Sequence, residues 1–347
     1  MENTVVKPFW IWMFSSLILF FLYLIKDIIV FLSTSGLKIL TFLKSRFNQG
    51  KGVIKSPNIM NMDPSRRRFL KAASAGIALP PIALTSYSIF NNSDGIFDNK
   101  FELNFPQLPE NLRGLKIAHF TDIHCDQYTS KEKISKAVGI INDAEPDIVL
   151  LTGDYVSHEA GFIYPCMDAL KDLRSRHGVF ASMGNHDHWA DLPLIIKEFE
   201  KNGIPVLHNA GRTLSINDTK LDLLGVDDSR WGYADIRTAL SYVEGGIVEG
   251  NNGDASNFKI LMSHQPPYWD VAQKEGVDLV LSGHTHGGQI ALNVLGSEVS
   301  FVGLFSKYIK GTFEKGDSTL YVNSGFGFTG PPIRLNNPPE VAIITLA

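Results

Sequence analysis

The sequence predicts an α/β protein behind an N-terminal membrane or signal region, and three observations carry that reading. From Leu115 onward, short apolar β-rich runs alternate with helix-like stretches, the pattern of a sheet covered on both faces. Nearly every run ends in Gly, Asp, Asn or His, where α/β folds place their ligands. The first ninety residues differ in kind. They hold eleven basic and three acidic side chains, against 21 basic and 33 acidic in the remainder. The net charge of −4 therefore joins two oppositely charged parts, and all ten histidines lie in the acidic one.

Phe9–Ile25 is an uncharged apolar run, and Ile28–Leu32 extends it beyond Lys26 and Asp27. It has no polar face, so it reads as a membrane helix rather than a core helix. A basic stretch follows, then Ser65-Arg66-Arg67-Arg68-Phe69-Leu70-Lys71 and the charge-free segment Ala72 to Ser88. That arrangement resembles a twin-arginine (Tat) export signal, which would make the Tat translocase a partner; the competing reading is a basic patch on anionic lipid. Such a signal normally opens a chain. Either translation starts at Met60 or Met62 and 1–59 is an extension, or the chain is a two-span anchor. On both readings the basic segment 38–71 stays cytoplasmic and everything after about residue 90 is extracytoplasmic. The segment lacks a clear small-residue cleavage site, which favours retention at the cell membrane. The expected divisions are 1–59 span and basic linker, 60–90 signal or anchor, 91–112 linker, and 113–347 catalytic domain.

Strands are expected at Lys116–Phe120, Asp147–Leu151, Val179–Met183, Phe258–Met262 and Val277–Leu281, with helices at 131–143, 162–174, 191–202, 233–242 and 268–275. Thr213–Ile216, Leu221–Val226, Thr319–Val322 and Val341–Leu346 have no helices between them and suggest added antiparallel pairing. At the strand ends stand Thr121-Asp122-Ile123-His124, Gly153-Asp154, Gly184-Asn185-His186-Asp187, Ser263-His264 and Gly283-His284-Thr285-His286.

These clusters, in this order, resemble the calcineurin-like metallophosphoesterase superfamily over roughly 113–346. With Gly287-Gly288-Gln289 and Tyr321-Val322-Asn323-Ser324-Gly325, they look like its Tat-exported bacterial phosphodiesterase subgroup. The resemblance implies a four-layer α-β-β-α sandwich of two mixed sheets and two divalent metal ions, which acidify a bridging water and clamp phosphoryl oxygens. Mixed N/O ligands suit Mn, Fe or Zn. Carried over by motif, Asp122, His124 and His286 hold one metal, and Asn185, His264 and His284 the other, with Asp154 bridging. His186 resembles the histidine that assists the leaving oxygen, with Asp187 fixing its ring. The protein-phosphatase members carry further Asp and Arg-Gly residues after Gly-Asp; Tyr155-Val156-Ser157-His158 here argues against that activity.

His119 lies within a strand and reads as a core histidine. His158, His177, His188 and His208 are expected on loops or surfaces, with His158 and His188 close enough to line the cleft. Cys125 and Cys166 have no metal-cluster spacing. Arg334, after the Gly-rich 323–330 loop, is a candidate substrate anchor; the alternative ties that loop to Glu340. Loops 155–162, 227–233 and 292–312 are expected to select substrate.

The function implied is hydrolysis of a phosphodiester or pyrophosphate, whose substrate includes a lipid headgroup or envelope component among the options. Alternatives are a UDP-2,3-diacylglucosamine pyrophosphatase-like lipid-precursor hydrolase and, in another class, a non-catalytic metal-stabilised binding module. Nucleic acid is disfavoured because the acidic part offers no basic stripe.

Overall fold

The computed structural model describes residues 2–47, 79–89, 95–244, 257–294 and 297–347. Arg66, Arg67 and the twin-arginine motif lie outside the described residues. The chain divides into two units, Met1–Phe90 and Asn91–Ala347. In the first, helix α1 (Glu2–Phe47) runs through Lys26 and Asp27 without a break. Its segment Lys7–Ile29 has mean hydropathy 2.0 and is long and apolar enough to cross a membrane.

The second unit carries two mixed sheets. The first has order β1-β13-β2-β3-β4, from strands Phe97–Leu103, Glu340–Leu346, Lys116–Phe120, Ile148–Thr152 and Val179–Ser182. The second has order β11-β12-β8-β7-β6-β5, from Gly311–Lys315, Ser318–Val322, Leu279–Ser282, Phe258–Met262, Thr219–Gly225 and Ala210–Ile216. Within each, central parallel pairs are flanked by an antiparallel one: β13 on β2, β11 on β12 and β5 on β6.

Strand alternation builds the layers. Ile117, Ile148, Leu150 and Phe180 point between the sheets, meeting Leu223, Ile260, Met262 and Leu281. Their neighbours Ala118, Val149, Leu151 and Ala181 point outward onto helices α2 (Lys131–Asp143), α3 (Ile163–Leu170) and α5 (Leu192–Lys201). In α2 the buried positions are Ile134, Ala137, Val138 and Ile141, one helical face. Outside the second sheet, Leu224, Leu261, Val280 and Leu320 meet α6 (Ile236–Ser241) and α7 (Trp269–Ala272). This is the expected four-layer sandwich. Burial on both faces is why the central strands read as continuous apolar runs.

Two expectations need correction. Residues 97–103, expected within a linker, form β1, paired in parallel with the whole of β13. Its alternating Asp98, Lys100 and Glu102 hid it, because an edge strand with one exposed face carries little apolar signal. The 292–312 loop contains most of a hairpin, β9 (Ala291–Val294) on β10 (Ser297–Ser300), and the start of β11.

His119 is the core histidine expected, fully buried with Nε2 2.8 Å from Thr152 Oγ1. Burial lowers its pKa to about 3. The unfolded chain binds this proton below about 6.5 and the folded chain does not, so the stability it contributes is present above pH 6.5. It is lost as pH falls toward 3, at about 1.4 kcal/mol per unit. His119→Gln should therefore narrow the difference between urea midpoints at pH 7 and pH 5; an unchanged difference would contradict this.

Candidate metal centre

Five turns at the carboxyl ends of β2, β3, β4, β7 and β8 converge. β2 delivers Asp122 and His124, β3 delivers Asp154, β7 delivers His264, and β8 delivers His284 and His286. β4 leads into helix α4 (Asn185–Ala190), which carries Asn185 and His186. Asp122, His124, Asp154, His284 and His286 all hold left-handed backbone, φ from +46° to +69°. Non-glycine residues rarely adopt it. Here it turns both members of each Asp-x-His or His-x-His pair into the same space, which a helix could not do. Neighbouring turns hold this backbone in place: Asp122 N–H donates to Gly153 O at 3.1 Å, His124 N–H to Asp154 O at 2.9 Å, and Gly283 N–H to His264 O at 3.1 Å.

Two glycines are there for space. A Cβ on Gly184 would stand 2.3 Å from Asp154 Oδ1, and one on Gly283 would stand 2.0 Å from Asp122 Oδ2.

Asp154 sits at the crossing. Its Oδ2 lies 3.0 Å from His264 Nε2 and 3.5 Å from His124 Nε2, and Oδ1 accepts the His186 backbone N–H at 2.8 Å. Asp122 Oδ1 lies 3.3 Å from His286 Nε2. Three overlapping groups have ligand atoms within 4.8 Å of one another: Asp122, His124 and His286; His124, Asp154 and His186; Asp154, His264 and His284. Burial works to raise the Asp154 carboxyl, but His264 and His124 hold it well below the usual carboxylate range. Burial likewise opposes charge on His264, yet Asp154 raises its pKa to about 10. Asp154 and His264 therefore stabilise each other's charged forms. The donors fit a metal on separate grounds. Asn185 is 2% exposed, and its Oδ1 is buried with no hydrogen-bond partner among the described residues. An amide oxygen placed so is costly unless something outside the chain satisfies it.

Asp187 does not hold the His186 ring. Its carboxylate accepts three backbone N–H groups, from Asp154 and Gly184 on Oδ2 and from Tyr155 on Oδ1. It therefore fixes the turn that aims Asp154. Burial and the Asp154 charge push its pKa up to about 7, against the pull of those N–H groups. The His186 ring is positioned by the Ser157 carbonyl at Nδ1. A backbone carbonyl leaves no signature in sequence. The ring is flanked by Trp189 at 4.3 Å and His158 at 5.1 Å between centroids.

Arg334 is likewise corrected, from substrate anchor to scaffold. It is fully buried, and its guanidinium donates to the carbonyls of Gly327, Ser324 and Asn337 and to His286 Nδ1 at 3.1 Å. Glu340 holds the same loop by accepting Ser324 N–H at 2.7 Å.

The family model for calcineurin-like phosphoesterases matches residues 115–288, taking in all five turns. The chain belongs to this family. An uncharacterized metallophosphoesterase of Bacillus subtilis, YkuE, is 30% identical over 295 residues, 81% of this chain and 97% of that one. A transmembrane protein with metallophosphoesterase domain from Danio rerio is 29% identical over 256 residues, but the match spans only 56% of its length. Among solved structures, an archaeal phosphodiesterase aligns over 60% of this chain and 84% of its own, at 18% identity and TM-score 0.33. As a family member the chain is a phosphoesterase of the hydrolase class, and the buried Asp and His groups are candidates to hold the family's divalent metal.

Arg334→Lys removes most of the carbonyl contacts at once. Its thermal midpoint should fall by several degrees and metal should be lost more readily, with KM in the loaded fraction unchanged. A raised KM at an unaltered midpoint would restore the substrate-anchor role.

Proposed function

We propose that the chain hydrolyses a phosphodiester or pyrophosphate bond at a dinuclear centre. The observation that carries this reading is the Asp154 carboxylate, whose Oδ2 lies near His124 of one half and His264 of the other. Asp122, His124 and His286 would hold one cation, and Asn185, His264 and His284 the other, with Asp154 shared. Two divalent cations, Mn, Fe or Zn by the donor set, would supply an activated water and neutralise charge on the phosphoryl oxygens.

The remaining work falls to the chain. Ser157 O accepts the Nδ1–H of His186, which leaves Nε2 to give a proton to the departing oxygen from the imidazolium form and to end as a neutral imidazole. Asp187 keeps the Asp154 turn rigid. An anchor through Lys7–Ile29 and delivery to the extracytoplasmic face by a twin-arginine route complete the proposal; the apolar helix supports the anchor.

A second reading, a lipid-precursor pyrophosphatase of the UDP-2,3-diacylglucosamine type, is favoured by one feature. A groove of about 620 Å³ starts at His284 and His286 and continues along Leu292, Val299, Phe301 and Leu304. Phe301 is 74% and Leu304 70% exposed, a large apolar surface to leave beside a polar centre. An acyl chain would fit it.

His186→Ala should keep metal content and fold while kcat on a chromogenic phosphodiester drops on the order of 10²–10⁴-fold. Loss of metal with near-normal kcat per loaded chain would instead make it a ligand. Phe301→Ser with Leu304→Ser should raise KM for an acylated pyrophosphate substrate and leave the chromogenic diester untouched; equal effects on both would remove the lipid reading.

A further inference from the structure

We propose that His188, His208 and Asp227 form a third divalent-cation site, distinct from the paired centre. His188 lies on α4, His208 in the turn before β5, and Asp227 in the loop after β6. His188 Nε2 stands 2.6 Å from Asp227 Oδ1, and His208 Nε2 stands 3.0 Å from the same oxygen. All three donor atoms lie within 4.8 Å of one another, close enough for one ion to touch each. None of the three belongs to the seven-residue centre.

The carboxylate is built in advance. Its Oδ2 accepts Tyr233 N–H at 2.9 Å, and its Oδ1 accepts Asp228 N–H at 2.7 Å. Asn209 Oδ1 takes the backbone N–H groups of both Asp227 and Asp235, at 3.0 and 2.9 Å, which closes the loop around it. Gly232 packs so near that a Cβ there would stand 2.0 Å from Asp227 Oδ2. Outer hydrogen bonds of this kind orient ligands in metal sites.

One oxygen is thus approached by two imidazole nitrogens and one backbone N–H, more than its lone pairs accommodate well. A cation between the rings would use both nitrogen lone pairs and leave Oδ1 a ligand. Two imidazoles and one carboxylate suit zinc, with a remaining position for water. Solvent reaches it, since the His188 and His208 side chains are 16% and 36% exposed. The ion would clamp α4, which carries His186, to the loop bearing Trp231, whose ring lies 5.2 Å from that of Trp189. It would thereby fix the wall beside His186.

The test counts zinc on the full chain in detergent, stripped with chelator, dialysed against zinc and read by plasma mass spectrometry. His208→Gln can still donate to Asp227 but is a poor zinc ligand, whereas His208→Cys binds zinc. Wild type and His208→Cys should each hold about one zinc per chain more than His208→Gln. The gap should appear whatever the occupancy of the paired centre, and circular dichroism should show all three equally folded. The same count in wild type and His208→Gln would overturn the site and leave a hydrogen-bonded triad.

Discussion

The geometry of this molecule depends on one carboxylate. Asp154 ends β3 in the first sheet, and the histidine nearest it, His264, ends β7 in the second, so their 3.0 Å approach joins the two halves of the sandwich. Its other oxygen takes the His186 N–H in the first turn of the helix that presents that histidine. A buried, ionised carboxylate is tolerated only when surrounded by positive charge or donors. That requirement brings the five turns to one point.

The turns show how strongly that requirement acts. Five site residues are held in left-handed backbone, each at a cost of order 1–3 kcal/mol. The compensation is visible in backbone hydrogen bonds between turns, in Asp187 accepting three N–H groups, and in Arg334 gathering the carbonyls of the 323–337 loop. Strained turns are therefore seated on a rigid double sheet rather than left to mobile loops.

Much of this was legible in the sequence because the centre's chemistry is carried by Asp, Asn and His side chains grouped just after apolar runs. The bounds of β2 and β7 were readable to the residue, since burial on both faces leaves each strand mostly apolar, with His119 and Lys259 the polar residues inside them. Asp122, His124, Asp154, His264, His284 and His286 do meet, as their motifs implied. What stayed hidden was the work done by the backbone. Ser157 holds His186 through a carbonyl that every residue possesses. Asp187 is a turn-former rather than a ring-holder for the same reason. Arg334, after two prolines beside a glycine-rich loop, looked like an anion clamp, and only its full burial reveals a scaffold. The His188, His208 and Asp227 cluster joins three segments far apart in the chain, so no local spacing could announce it.

The central claim is that the convergent turns hold two cations that share Asp154. Anomalous diffraction from crystals of the manganese-loaded catalytic unit tests it most directly. The account predicts two peaks ~3.5–4 Å apart, with Asp154 touching both, Asp122, His124 and His286 around one, and Asn185, His264 and His284 around the other. A single peak, or two peaks with Asp154 bound to only one, would contradict it.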